Sequence, residues 1–145
     1  MGAVDAYPPL HSAEHLLTAA LAQRLPGMRD HVSRLKSRKC VFEFDYAGEL
    51  TADDIAWVKA TVKDWIAQGA DTVINSVPRS QADRLPNLDQ VPDDADPVRV
   101  VRLGEFDSRA CVGSHVANTS DIRNFRVTSW RAVGNSRYRV NFVVG

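Results

Sequence analysis

Two stretches carry apolar residues at helical spacing. From Leu10 to Leu25, Ala13, Leu16, Leu17, Ala20, Leu21 and Leu25 form a stripe, with Pro8-Pro9 before it and Pro26-Gly27 after it, which predicts a first helix. A second helix is predicted over Ala52 to Gln68. Thr51-Ala52-Asp53-Asp54 has the form of a capping box, with Asp54 where Glu is usual. Ile55, Val58, Val62, Trp65 and Ile66 keep the period, and Gly69 supplies the stop. Trp57 and Trp65 read as packing residues rather than base-stacking groups. Alternation with period two marks the strands. Val41 to Tyr46 is one, with Val41 or Phe42 and Phe44 on buried faces; Thr72 to Val77 and Val98 to Leu103 are others. Ile122–Ala132 and Arg137–Val144 form a hairpin around Gly134-Asn135-Ser136, and Tyr138, Val140, Phe142 and Val144 alternate strictly. His31 to Tyr46 as a whole alternates only loosely. Ser80 to Leu85 reads as a short helix, Pro86 to Pro97 as a surface loop, and Phe106 to Ala110 as a lead into the loop that follows. The expected fold is α+β, an antiparallel-rich sheet packed with two main helices, in a single domain over residues 1–145.

Charge changes this picture in its distribution more than in its sum. Eighteen Lys and Arg balance 18 Asp and Glu, so no global field draws the chain to nucleic acid or a membrane surface. The basic residues concentrate between Arg24 and Lys39 and between Arg123 and Arg139, around an acidic middle. Such blocks can fold into one cationic face or remain ordinary solvated surface. Cys40 and Cys111 form no disulfide framework, which suits a reducing compartment. No apolar run reaches transmembrane length, and Met1 to Pro9 lacks the pattern of a secretory leader. A cytoplasmic protein without membrane contact is expected.

The candidate chemistry lies in two short pairs. Of four histidines, His11 and His15 stand at i, i+4 on the first predicted helix, where they share a face. One of two cysteines, Cys111, stands four positions before His115 in a Gly-containing loop. Only His31 is left over. Together the four make a His-His-Cys-His set suited to one tetrahedral zinc ion per chain. The first pair alone would more readily be a partly buried helix start; the second tips the balance to a metal. His11-Ser12-Ala13-Glu14-His15 also matches the H-x-x-E-H string of inverzincin proteases. That string is short, and it leaves Cys111 and His115 without a role.

Four features in order carry a resemblance. They are His11-x3-His15 followed by Leu16-Leu17; the Val41–Tyr46 strand leading to the Leu50-Thr51 capped helix; Cys111-x3-His115; and Val116-x-Asn118-Thr119-x-Asp121-Ile122. The arrangement, from His11 to Phe142, resembles the editing domain of alanyl-tRNA synthetase, the free-standing alanyl-tRNA editing proteins and the related domain of threonyl-tRNA synthetase. The chain is similar to the short free-standing form, without an aminoacylation domain. The resemblance implies a zinc-dependent deacylase acting in trans, which hydrolyses the ester between a wrong amino acid, serine or glycine, and the 3′ end of tRNA. It carries over His11, His15, Cys111 and His115 as metal ligands. Val116, Asn118 and Thr119 come over as loop residues shaping the pocket, and Ser114 or Thr119 as a partner for a serine hydroxyl; loop capping is the other role open to them. The family segment H-V-x-Q-x-G-S corresponds here to His31-Val32-Ser33-Arg34-Leu35-Lys36-Ser37, which counts Val32 and Arg34 with the substrate-binding residues. Arg34 replaces the glutamine and Lys36 the glycine. Val112 stands where glycine is common, Ser114 replaces threonine and Asp121 replaces glutamate.

The mechanism stays open at this level. Four protein ligands saturate a tetrahedral ion, whereas catalysis needs an open or loosely held position. Glu14 is the only acid within the ligand motifs and so the candidate general base. Its turn of about 100° from His15 favours a position facing solvent. Lys36, Arg38, Arg123, Arg126 and Arg137, with Arg34, are the candidates for phosphate contacts to the tRNA 3′ end. Two other classes stand beside the deacylase: a non-catalytic, zinc-stabilised tRNA-binding module, and a related hydrolase acting on another aminoacyl or amide substrate.

Overall fold

The computed structural model describes residues 6–145; Met1 to Asp5, part of the stretch read above as no leader, lie outside it. Helix α1, Pro8–Arg24, begins where two prolines fix the backbone of its first turn, and it has no side-chain N-cap. It is buried on every side from Leu10 to Thr18, which makes it a central helix rather than an amphipathic surface one. Helix α2, Ala52–Gln68, has the capping box in full. Thr51 accepts from the Asp54 backbone N–H at 3.2 Å, and the Asp54 carboxylate accepts from the Thr51 N–H at 3.0 Å. Gly69 ends it at φ 67°, a left-handed conformation that costs glycine nothing.

Two antiparallel sheets flank the helices. The larger has the order β1-β2-β7-β6, from β1 (Arg29–Lys36), β2 (Lys39–Asp45), β6 (Arg126–Gly134) and β7 (Arg137–Val143). The smaller runs β3-β4-β5, from β3 (Thr72–Val77), β4 (Val98–Leu103) and β5 (Asp107–Ala110). Cys40, Phe42, Phe44, Val140 and Phe142 point inward from the larger sheet. They join Leu10, Leu16, Leu17 and Leu21 of α1, Ile55, Val58 and Val62 of α2, and Val101 and Leu103 of β4 in the main core. A smaller cluster of Ala82, Val91, Val98 and Ala110 holds the 78–97 loop against the second sheet. Among the described residues no helix is long and apolar enough to cross a membrane.

The α+β class and both helices are as expected. The differences are local. Strand β1 is complete, although its sequence alternates only loosely. The expected Ser80–Leu85 helix is a single 3-10 turn, Arg79–Gln81. The Pro86–Pro97 loop contains a 3-10 turn at Leu88–Gln90, with Val91 buried behind it. Strand β6 begins at Arg126, because Ile122 and Phe125 turn inward to the core after a 3-10 turn at Thr119–Asp121. The segment after Phe106 forms β5, paired to β4 from Val100↔Ala110 to Leu103↔Asp107.

Candidate metal centre

Helix α1 and the loop after β5 meet at one point. The donor atoms of His11, His15, Cys111 and His115 all lie within 4.8 Å of one another. Cys111 Sγ is 3.5 Å from His11 Nε2 and 3.6 Å from His115 Nε2. A tetrahedron built on ordinary Zn–S and Zn–N bonds has N···S edges of about 3.5 Å, so these spacings fit that ion. The imidazoles crowd one another: His11 stacks on His115 at 4.1 Å between ring centroids, and His15 meets His115 at 4.3 Å.

The surrounding residues decide which ring nitrogens face inward. His11 Nδ1 lies 3.1 Å from the Ser114 carbonyl oxygen. A carbonyl only accepts, so Nδ1 carries the proton and Nε2 keeps its lone pair. His115 Nδ1 is 2.9 Å from Ser12 Oγ, which also accepts from the Val116 backbone N–H at 3.1 Å. Nδ1 of His15 faces Asp107 Oδ2 at 3.2 Å, buried and without the alignment of a hydrogen bond. A carboxylate behind a metal-ligating histidine is the usual arrangement for orienting the ring. Burial lowers the pKa of all three imidazoles, most strongly for His15 and His115, and raises that of the Cys111 thiol. Neutral imidazoles offer the free lone pairs that a cation needs. Arg99 ties the loop down by donating to the carbonyls of Cys111 and Gly113, both at 2.8 Å.

Behind the four donors lies a buried charge cluster that the spacing of motifs did not reveal. Arg109, only 3% exposed, donates to Asp107 through Nε at 2.9 Å and Nη2 at 3.2 Å, and to the His15 carbonyl at 3.0 Å. Its Nη1 is 3.8 Å from Glu14 Oε2. Glu14 therefore does not face solvent as its helical phase predicted. It is 5% exposed, because a helix packed on all sides has no solvent face. Glu14 Oε2 accepts from Ser33 at 2.9 Å and Thr18 at 3.1 Å, while Oε1 lies 3.8 Å from His15 Nε2 and takes no hydrogen bond. Burial pushes the Glu14 carboxyl up, but the Arg109 guanidinium above all, with the Ser33 hydroxyl, outweighs it and holds the group below its ordinary value.

A cleft of about 300 Å³ opens beside the donors. His11, Glu14, His15, Arg109 and Cys111 form its floor. His31, Val32, Ser33 and Leu35 of β1 form one wall, and Asn87, Gln90 and Val112 the other. Of the residues predicted to bind substrate, Val32 lines this cleft. Arg34 is exposed and absent from the lining, one step out of phase on β1. Ser114 is exposed and contributes its carbonyl to His11. Val116 is buried in the core. Asn118 caps its own turn and donates to the Gly69 carbonyl at 2.7 Å. Thr119 Oγ1 accepts from the Ala70 N–H at 2.9 Å and donates to the Trp65 carbonyl at 3.0 Å. Asn118 and Thr119 thus fasten the loop to the end of α2, away from the cleft. Thr119→Val, which leaves the Ala70 N–H unpaired, is expected to cost about 1–3 kcal/mol, read as a lower midpoint in thermal unfolding.

Lys36, Arg38, Arg123 and Arg126 are exposed. Arg137 is not free for a phosphate: it is half-buried, donates to Asp45 Oδ1 at 2.8 Å and lies 3.6 Å from Glu43 Oε1. The cleft residues missed from sequence are His31, Ser33, Leu35, Asn87, Gln90 and Arg109. A polar residue at every second position of β1 was the available signal for His31 and Ser33; nothing local marked the others.

Residues 98–141 match the model of the threonyl and alanyl tRNA synthetase second additional domain. The chain is 32% identical over 137 residues to an alanine–tRNA ligase of Acholeplasma laidlawii, covering 93% of this chain and 16% of that protein. It is 30% identical over 137 residues to the alanine–tRNA ligase of Listeria monocytogenes and 32% identical over 140 residues to that of Staphylococcus aureus, with the same coverage. The chain thus spans 16% of the length of these relatives.

Proposed function

We propose that this chain, related to the second additional domain of threonyl and alanyl tRNA synthetases, is a zinc-dependent hydrolase that removes a wrong amino acid, serine or glycine, from the 3′ end of tRNA in the cytoplasm. The observation that carries the reading is the closed set of His11, His15, Cys111 and His115 at the floor of a cleft, with the Glu14 carboxylate beside it. Zinc held by these four residues supplies a Lewis acid for the ester. The other steps belong to the chain itself. Glu14 Oε1, the carboxylate oxygen left without a hydrogen bond, takes a proton from the attacking water. Ser33, Thr18 and Arg109 hold the opposite oxygen and keep the carboxylate ionised. The water oxygen bonds to the acyl carbon, the acyl C–O bond breaks, and the ribose oxygen leaves with the proton that Glu14 took, which returns the carboxylate to its ionised form. Val32, Leu35 and Val112 give the cleft apolar walls, so the carbonyl reacts out of bulk water. A second hydrolytic site supplies discrimination that one apolar binding pocket lacks, since such a pocket cannot strongly reject an isostere with an added hydroxyl.

One observation favours the non-catalytic reading: four protein donors already fill a tetrahedral ion. The test is to incubate the zinc-loaded protein with tRNA carrying serine, glycine or alanine and to measure release of each amino acid. Release of serine or glycine ahead of alanine is expected. No release of any favours a zinc-stabilised binding module, and release from another aminoacyl ester or amide alone favours the related hydrolase. Glu14→Gln keeps the shape of the side chain and removes the base. It is expected to slow release by about 10²–10⁴-fold with zinc content unchanged. An unchanged rate removes Glu14 from the chemistry.

A further inference from the structure

We infer that the outward face of the four-stranded sheet is a docking surface for the phosphate backbone of a double-helical RNA stem, whose single-stranded 3′ end crosses β1 into the cleft. This rests on the reading of the cleft as a tRNA 3′-end site.

The two basic segments, far apart in sequence, fold into one sheet. Because Cys40, Phe42, Phe44, Val140 and Phe142 face the core, the alternate residues face outward. Register places Lys36 opposite Lys39, Lys39 opposite Val143, and Val143 opposite Arg126, a row that crosses all four strands. Arg131 stands opposite Arg139, and Arg34 lies two residues from Lys36 along β1. Adjacent positions on such a face are about 4.8 Å apart across strands and about 6.7 Å apart along them. Glu43, Asp45 and, at the bulge of β1, Asp30 are the acids of this face; Glu43 and Asp45 are engaged by Arg137 and Arg139, and Asp30 lies 3.5 Å from Arg29. Arg34, Lys36, Lys39, Arg126 and Arg131 are exposed, and none makes an ion pair among the described residues. A chain of zero formal net charge therefore carries a concentrated cationic surface.

Two features select the occupant. Like charges directly opposite on neighbouring strands weaken a sheet, so Lys36/Lys39, with no acid paired to either, is a cost that a polyanion offsets, whereas Arg139 opposite Arg131 is already held by Glu43. No outward position of these strands is aromatic, so the face lacks the stacking platform with which proteins hold unpaired bases. What remains is charge on a broad surface, as shape-and-phosphate recognition of an RNA duplex uses. Val32 joins the two regions: half-exposed on the outward face of edge strand β1, it also lines the cleft.

The test measures binding of uncharged tRNA, and of an RNA stem with a single-stranded 3′ tail, by fluorescence anisotropy over a salt series. Lys39→Glu with Arg131→Glu is compared with Arg84→Glu, an exposed cation on the 78–97 loop. The pair is expected to weaken binding about 10-fold or more and to flatten the slope of log K against log salt by about 2, and Arg84→Glu to leave both unchanged. Relief of like-charge pairing keeps the thermal midpoint of the pair at or above that of the parent, which separates lost binding from lost fold. Neutral Lys39→Gln with Arg131→Gln should weaken binding less, in the same direction. Equal weakening by Arg84→Glu overturns the inference, as does full binding by the pair, equal affinity for single-stranded RNA of the same length, or binding to anionic lipid vesicles in place of tRNA. The RNA is uncharged, so this outcome is independent of ester release: binding through the sheet without hydrolysis would sink the deacylase reading and leave the surface standing.

Discussion

Cys111→Ala is expected to abolish stoichiometric zinc. A four-ligand structural site contributes about 10–16 kcal/mol, so one ligand accounts for roughly 3 kcal/mol and its loss weakens affinity by more than about 100-fold. The local geometry places Cys111 at the high end of that range. Its sulfur touches the inward nitrogens of both His11 and His115, so its removal opens two of the short edges of the donor set at once. Metal content after purification in limiting zinc, and competition against a chelator of known affinity, read the effect. Amino acid release should fall with metal content, and added zinc should restore part of it. A Cys111→Ala protein that retains zinc at the parent's level would show that the four side chains do not act as one ligand set.

Arg109→Met is expected to cost about 3–5 kcal/mol of folding stability, the range for breaking a buried ion pair from one side. The mechanism is desolvation without compensation. Arg109 holds two carboxylates, Asp107 and Glu14, and donates to the backbone of His15, with Arg109 and Glu14 buried beneath the cleft. Methionine fills the volume but leaves both acids unpaired. Arg109→Lys keeps the charge and loses the forked contact to Asp107, so it should recover part of the loss. Denaturant unfolding of the three proteins measures this, with zinc-free protein compared throughout. Equal stability of the parent and Arg109→Met would mean that water reaches the cluster.

The parts of this molecule that obey simple periodicity were legible in its sequence. Helix α2 has one buried stripe, a full capping box and a glycine stop, and each was readable residue by residue. Strand β7 alternates because one of its faces meets the core. The convergence of His11, His15, Cys111 and His115 was legible because two such pairs, neither decisive alone, together suit one metal ion. The misreadings have a common physical origin. Helix α1 is enclosed, so the phase argument that sent Glu14 to solvent had no solvent to send it to. Strand β1 inverts the usual pattern: His31 and Ser33 face the polar cleft while Val32 faces outward. Periodicity of hydropathy cannot register a strand whose inner surface is a binding site. Asp107 and Arg109 were passed over because the segment reads as a lead into a loop, where charged residues usually face water, and these two instead pair with each other inside. Asn118 and Thr119 belong to the motif that carries the resemblance, yet here they moor the loop and do not touch the cleft.

The division of labour around the cleft has a consequence for how such a protein can diversify. Val32, Leu35, Gln90 and Val112 line the opening, and none of their side chains hydrogen-bonds to the four donor residues or to the Glu14–Arg109–Asp107 cluster. Mutational drift at these positions can therefore re-shape the opening while the inner apparatus stays intact. On the proposed function, exchange of a handful of rim residues would change the size and polarity of the acyl group that the cleft accepts. A library randomised at those four positions, and screened on several aminoacyl esters, should yield altered preference far more often than loss of fold.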